Sequence, residues 1–241
     1  MTQPLHVLVT GASRGIGAAI VDAIRDHRVI GHSTAGGEGR IAADLDQPGA
    51  AEALWNAALE RLDGRIDVLV NNAGIFEAAP LAQDHSRWVE SWERTMRVNL
   101  TASAELSRLA VQHFQERGDQ GRGGGGRIVN VSSRAGYRGD SPEHWHYAAS
   151  KAGMIGMTKT IARAYAAEGI YAWAVCPGFT VTGMVEDYFA SRGGDAFLKD
   201  IPLGRPAQPE EIAEIVRWLC TSAPPSSTGS MIDANGASYV R

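Results

Sequence analysis

The 241-residue sequence is poor in cysteine, in aromatic residues and in long apolar runs. Its two cysteines, Cys176 and Cys220, are too few for the disulfide framework of a small secreted domain and point to a reducing, cytoplasmic setting. No apolar stretch approaches the roughly 20 residues that a helix needs to cross a bilayer. The amino terminus enters a strand-like run within six residues, which leaves no room for a secretory leader. Positive charge is also in short supply: 23 Lys and Arg stand against 27 Asp and Glu, a net charge of −4. A basic surface for a nucleic acid or an anionic membrane is therefore not expected. The six tryptophans are scattered and read as core or interface. A hydrophobic share of 44% with 21% charged residues suits a soluble globular chain. Length alone permits one or two domains, and one domain spanning residues 1–241 is expected.

Apolar strand-like runs alternate with helical patterns, the signature of a parallel sheet covered by helices on both faces. Strands are predicted at His6–Thr10, Arg28–His32, Arg40–Ala43, Val68–Asn71, Arg127–Ser132, Tyr171–Cys176 and around Ser230–Ile232. Helices are predicted at Gly15–His27, Ala50–Leu62, Trp88–Glu116, Tyr147–Ala167 and Pro209–Cys220. Two stretches break the rhythm. The glycine run Gly121–Gly126 predicts a flexible surface loop, because it cannot hold a helix. Ser33–Gly39 leaves only seven residues between the second and third strands, whereas a parallel crossover normally takes a dozen or more. It predicts an exposed loop and a weakened third strand.

The chemistry is carried by short motifs. In Y-A-A-S-K, Tyr147 and Lys151 stand four residues apart, one helical turn, with both side chains on one face. A phenol has a pKa of about 10, and a cation about 4 Å away at an effective dielectric of about 20 supplies the ~4 kcal/mol needed to bring it near neutrality. Near the amino terminus, T-G-A-S-R-G-I-G follows an apolar strand and opens a helix. Its glycines, Gly11, Gly15 and Gly17, permit a tight turn and close approach of a ligand. The N–H groups of the helix start favour a phosphate. His144, Trp145 and His146 precede Tyr147. Without a third ligand at metal spacing, they read as lining of a substrate mouth, and no metal is expected.

These motifs, with N-N-A-G at Asn71–Gly74, Asn99 in V-N-L, Ser133 in I-V-N-V-S-S and Pro177-Gly178, occur in an order that resembles the short-chain dehydrogenase/reductase family. The resemblance spans essentially the whole chain. Within the family, the wording is similar to bacterial 3-oxoacyl-(acyl-carrier-protein) reductases, as is the later stretch Pro202–Ala213. It implies an α/β fold, a Rossmann-type doubly wound parallel sheet of about seven strands in order 3-2-1-4-5-6-7. It also implies reversible reduction of a ketone to a secondary alcohol with NADP or NAD. By the resemblance, Tyr147 is the proton donor and acceptor, and Ser133 holds the substrate carbonyl. Lys151 lowers the tyrosine pKa and binds the nicotinamide ribose, and Asn99 anchors a water that links Lys151 to solvent. The cofactor would lie against Gly11, Ser13, Arg14, Gly15, Ile16 and Gly17. Ser33, Thr34, Asp44 and Leu45 would meet its adenosine half, with Asp44 on the adenine amino group. Asn72, Ala73, Gly74, Pro177, Gly178 and Thr182 would flank its nicotinamide half.

Between the two cofactors the sequence favours NADP. NAD-preferring relatives place an acid at the end of the second strand, where it takes the ribose 2′-hydroxyl. Here that strand ends Gly31-His32-Ser33-Thr34, with no carboxylate before Glu38. Arg14 is a candidate for a charge-assisted hydrogen bond to a 2′-phosphate. The substrate is left as a small-molecule or acyl-carrier-bound carbonyl compound. Arg134 and Arg138 would suit an acidic carrier; the negative net charge would not. The alternatives are a small free alcohol, ketone or sugar and, further off, a nucleotide-sensing regulator without catalysis. A homotetramer or homodimer through the long fourth and fifth helices is the family's usual assembly.

Overall fold

The computed structural model describes residues 3–119, 125–181 and 198–241. Seven strands form one sheet: β1 (His6–Val9), β2 (Arg28–Ser33), β3 (Arg40–Ala42), β4 (Val68–Asn71), β5 (Gly126–Val131), β6 (Ile170–Pro177) and β7 (Met231–Ala234). All pairs are parallel, in the order β3-β2-β1-β4-β5-β6-β7 that the sequence led us to expect. The helices are α1 (Gly15–Ala23), α2 (Ala50–Arg61), α3 (His85–Met96), α4 (Ala102–Asp119), α5 (Ala135–Arg138), α6 (Trp145–Tyr165) and α7 (Pro209–Thr221).

Period-2 alternation explains why helices cover both faces. In register, Val7 pairs with Val68 and Leu8 with Leu69, so each level of the sheet sends its side chains to one side. Val7, Val9, Val70, Val129, Val175 and Trp173 pack with Ile20, Ile212 and Val216 of α1 and α7. Leu8, Leu69 and Ile128 pack with Leu54, Leu106 and Phe114 of α2 and α4. Leu8 and Phe114 are completely buried, and burial of a side chain of that size contributes about 2 kcal/mol. The strand order reverses at β1, between β2 and β4, and a crevice opens there at the carboxyl edge of the sheet.

The short crossover after β2 is possible because β3 overlaps it so little. Gly31 pairs with Arg40 and Ser33 with Ala42, so the chain travels back by only two residues, about 7 Å. Gly36, Gly37 and Gly39 take positive φ values of 72°, 128° and 66° in doing so. No helix forms there, and β3 has only three residues.

Other boundaries differ from the sequence reading. The single helix expected over Trp88–Glu116 is two, α3 and α4, separated by a π-type turn at Arg97–Thr101. The first helix stops at Ala23 rather than His27, because His27 turns back and its Nδ1 accepts the Leu5 N–H at 3.3 Å. The short α5 was not foreseen. The expected glycine loop ends at Gly125, since Gly126 already opens β5, and Gly121–Gly124 lie outside the described residues. Trp173 acquires a structural role. It is wholly buried, donates to Ser227 Oγ at 3.0 Å and lies under the Arg127 guanidinium, which itself caps Leu219 and Ala223 carbonyls near the end of α7.

Candidate active site

The crevice is a cavity of about 360 Å³ along the carboxyl edge of β1, β2, β4, β5 and β6. At one end stands the turn between β1 and α1, with Gly11, Ser13, Arg14, Gly15, Ile16 and Gly17 all on the wall. Gly11 and Gly15 have φ values of 66° and 53°. A side chain on Gly17 would overlap the Gly11 carbonyl oxygen, and one on Gly11 would come within 2.7 Å of Ala73 Cα. Helix α1 has no acidic residue in its first turn, and no side chain caps it, so its first N–H groups are left for an anion. Ser33 and Thr34 line the same end after β2, as do Asp44 and Leu45 after β3. Asp44 is exposed, and its Oδ1 accepts the Asp46 N–H at 3.1 Å. The Ser33 hydroxyl donates to the Gly36 carbonyl at 3.0 Å, so its proton is engaged within its own loop.

Asn72, Ala73 and Gly74 continue from β4 into the middle of the crevice. Thr10 Oγ1 accepts the N–H groups of Asn72 and Ala73, both at 3.0 Å. In return the Asn72 amide donates to the Thr10 and Gly11 carbonyls, each at 3.0 Å. The ends of β1 and β4 are thereby locked together.

At the far end, Ser133 after β5 meets Tyr147 and Lys151 from α6, with Pro177 and Gly178 closing the wall. The Ser133 hydroxyl lies beside the Tyr147 phenol, and Ser133 Oγ accepts the Ala135 N–H at 3.1 Å. Ser132 turns away and donates to the Lys151 carbonyl at 2.9 Å. Asn99 does not reach the cavity wall. Its Oδ1 accepts the Ile75 N–H at 2.7 Å, and its Nδ2 donates to the Ile75 carbonyl at 3.0 Å. Seating this amide on a distant backbone accompanies the π-type turn, a distortion often found beside functional sites. A Cβ on Gly74 would stand 3.3 Å from Asn99 Oδ1 and 3.5 Å from Lys151 Nζ, so Asn99 and Lys151 close around that glycine. Thr182 lies outside the described residues.

The electrostatics correct one expectation. Lys151 does not hold the tyrosine pKa down here. Its ammonium donates to the Val131 carbonyl at 2.9 Å and lies 5.7 Å from the centre of the Tyr147 ring. Burial pushes the phenol up to about 12, with the nearby Ser133 hydroxyl working against it. Burial also brings the Lys151 ammonium down to about 8. At neutral pH the tyrosine holds its proton, which suits a proton donor.

Cavity residues that were not foreseen include His32, Arg94, Val98 and Thr180. Thr180 stands in the P-G-F-T stretch beside the expected cofactor wall, and its buried position was signalled only by proximity to Gly178. Arg94 forms ion pairs with Glu77 and Asp46, joining the segment after β4 to the segment after β3. Beside the tyrosine, Phe76 stacks on His144 at 3.9 Å and meets the Tyr147 ring edge-on at 4.8 Å, forming an aromatic wall.

Residues 12–236 match the family profile described as enoyl-(acyl carrier protein) reductase. The chain belongs to the short-chain dehydrogenase/reductase family. An acetoacetyl-CoA reductase of Rhizobium meliloti is 35% identical over 244 residues, covering 96% of this chain and 97% of that one. A 3-oxoacyl-(acyl-carrier-protein) reductase of Vibrio cholerae is 35% identical over 247 residues, 97% of this chain and 96% of the relative. Among solved structures, a 3-ketoacyl-(acyl-carrier-protein) reductase from Brucella melitensis complexed with NADH superposes with a TM-score of 0.85. It shares 26% identity and covers 99% of both chains. As a short-chain dehydrogenase/reductase the protein is an oxidoreductase, and its crevice fits an elongated anionic cofactor: the glycine wall admits close approach, and the opposite end presents a serine, a phenol and an ammonium.

Proposed function

We propose that the protein reduces the ketone of a 3-oxoacyl thioester to the secondary alcohol, with a nicotinamide cofactor held along the whole crevice. The observation that carries this reading is one cavity joining the glycine turn to Ser133, Tyr147 and Lys151. When bound, the nicotinamide supplies or takes the hydride. Tyr147 gives its proton to the carbonyl oxygen as charge develops there, and Ser133 holds that oxygen against the phenol. Lys151 stands near Gly74, where it would hold the nicotinamide ribose of a bound cofactor. Asn99 braces Ile75 and so the loop after β4 on which Gly74 sits. The names of the relatives support a thioester on either an acyl carrier or coenzyme A. NADP is the preferred cofactor, because Ser33 and Thr34 bring no carboxylate to the ribose and Arg14 lies on the adjoining wall.

Cofactor oxidation over a panel of 3-oxoacyl thioesters and free ketones tests the reading. Turnover of the thioesters at least tenfold above the free ketones is expected, and the reverse order would transfer the proposal to a small free ketone. One observation favours that second reading. Both arginines suited to an acidic carrier lie near Asp200, Arg138 at 2.9 Å and Arg134 at 3.8 Å, which weakens the positive patch at the mouth. For the cofactors, kcat/KM should favour NADPH over NADH about tenfold, equivalent to about 1.4 kcal/mol. The full chain works as one catalytic domain per subunit, in the cytoplasm, as a dimer or tetramer. No helix among the described residues is long and apolar enough to cross a membrane, and sedimentation would report the assembly.

A further inference from the structure

Gly11 lies just past the end of β1 and is gripped from the segments on both sides. On the β4 side its carbonyl accepts the Asn72 amide at 3.0 Å. On the β2 side its N–H donates to His32 Nδ1 at 3.2 Å, while the next N–H, of Ala12, donates to the His32 carbonyl at 2.7 Å. Since Nδ1 accepts, the imidazole proton belongs to Nε2. That nitrogen lies 2.9 Å from the Ala43 carbonyl and donates to it. One ring, only 3% exposed, thus ties the glycine turn to the segment that carries Asp44 and Leu45. The connection after β2 is too short to lay a helix over this end of the sheet, so His32 supplies from within the bracing that a longer crossover would supply from above. Burial keeps its pKa below the ordinary value, in keeping with the neutral tautomer that both bonds require.

We infer that His32 is a positioning residue for the adenosine half of the cofactor, holding the glycine turn in its binding arrangement before the nucleotide arrives, chiefly through the Gly11 bond, with the Ala43 bond seating the ring. This rests on the nicotinamide-cofactor reading above. The two ring bonds can be separated by substitution. His32→Asn keeps an acceptor near the position of Nδ1 and loses the donor to Ala43. His32→Gln keeps a donor near the position of Nε2 and loses the acceptor for Gly11. His32→Ala loses both.

The full-length wild type and the three variants would be titrated with NADPH and with NADH, following nucleotide fluorescence without any ketone, and then assayed for turnover. The expected result is a dissociation constant raised about tenfold in His32→Ala, the scale of one lost hydrogen bond, with kcat at saturating nucleotide within about twofold of wild type. His32→Asn should recover to within about threefold of wild type, and His32→Gln should not. Nucleotide binding unchanged in His32→Ala would overturn the inference, as would a loss confined to kcat. Equal losses in the Asn and Gln variants would also overturn it, since they would indicate packing alone. If His32→Ala fails to fold, the Asn and Gln pair decides. A wild type that binds neither nucleotide would overturn the cofactor reading itself, whereas binding by the wild type with no change in the variants overturns the inference alone.

Discussion

The two ends of the crevice are held by different physics. At the glycine end, backbone groups form the wall, and neutral hydrogen bonds from Asn72, Thr10 and His32 fix them in place. At the chemical end, ionisable side chains are buried against their preference: the Tyr147 phenol is pushed up to about 12 and the Lys151 ammonium down to about 8. The first end is arranged at little cost, because every clamp satisfies a group that would otherwise lose its water. The second carries a desolvation cost that the rest of the fold must offset. On the proposed reading, recognition rests on geometry and the chemistry on displaced protonation equilibria, and the two should respond differently to substitution.

The largest expected effect falls at the chemical end. Tyr147→Phe removes the transferable proton and little volume, so turnover should fall about 10³-fold, within the usual range for general acid catalysis. Nucleotide dissociation constants should stay within about threefold of wild type. Retention of more than about a tenth of the turnover would show that the phenol is not the general acid. At the other end the pattern should invert. Gly17→Ala drives a methyl group into the Gly11 carbonyl and towards Asn72 Nδ2. It should weaken nucleotide binding at least tenfold and destabilise the fold by about 1–3 kcal/mol, as read by titration and by denaturant unfolding. Unchanged binding would mean that the turn relaxes freely.

Lys151→Met sharpens the contrast. The substitution relieves a buried ammonium whose lowered pKa corresponds to about 3 kcal/mol. It also leaves the Val131 carbonyl without its donor, at a cost of about 1–2 kcal/mol. A net gain of about 1 kcal/mol in stability together with loss of turnover is expected from unfolding curves and assays at one pH. A net loss of stability would mean that Lys151 is held more favourably than its burial implies.

The smallest effect is on the pH dependence of stability. Burial holds the imidazoles of His32, His113 and His146 below the ordinary value, which is about 6.5. The unfolded chain takes up these protons at higher pH than the folded one. Stability is therefore fully present above about pH 6.5 and is lost as the pH falls through that value towards the folded pKa values. Melting temperatures recorded from about pH 8 down to about pH 5 should fall, and His32→Asn should make the slope shallower. A slope identical to that of wild type would exclude His32 from the acid response.

Residues with strong local requirements are legible in the chain itself. A turn needing positive φ and close approach must be written in glycine, and Gly11, Gly15 and Gly17 stand at the right distance after an apolar run. The pairing of Tyr147 with Lys151 follows from helix geometry, and the short third strand follows from counting residues between two apolar segments. The break between α3 and α4 is not legible in this way. It accompanies the seating of Asn99 on Ile75, 24 residues earlier, and neither residue advertises the other. His32 is invisible for the same reason, since its partners Gly11 and Ala43 are 21 and 11 residues away. Arg94 is hidden by its helix, because an arginine on an amphipathic surface has no sequence mark distinguishing an ion pair over a cleft from one in solvent.

By itself, the sequence determined the alternation of strand and helix, the place of the glycine turn and the spacing of phenol and ammonium. Each of these depends on backbone periodicity or on one residue's own conformational range. Only the tertiary structure decided which way Lys151 points, in which direction the Tyr147 pKa moves, and which side chains brace Gly11. Those outcomes depend on burial and on partners brought together from distant parts of the chain. The same lysine four residues from a tyrosine lowers the phenol pKa when it faces the hydroxyl, but not when it turns to the Val131 carbonyl in a buried wall.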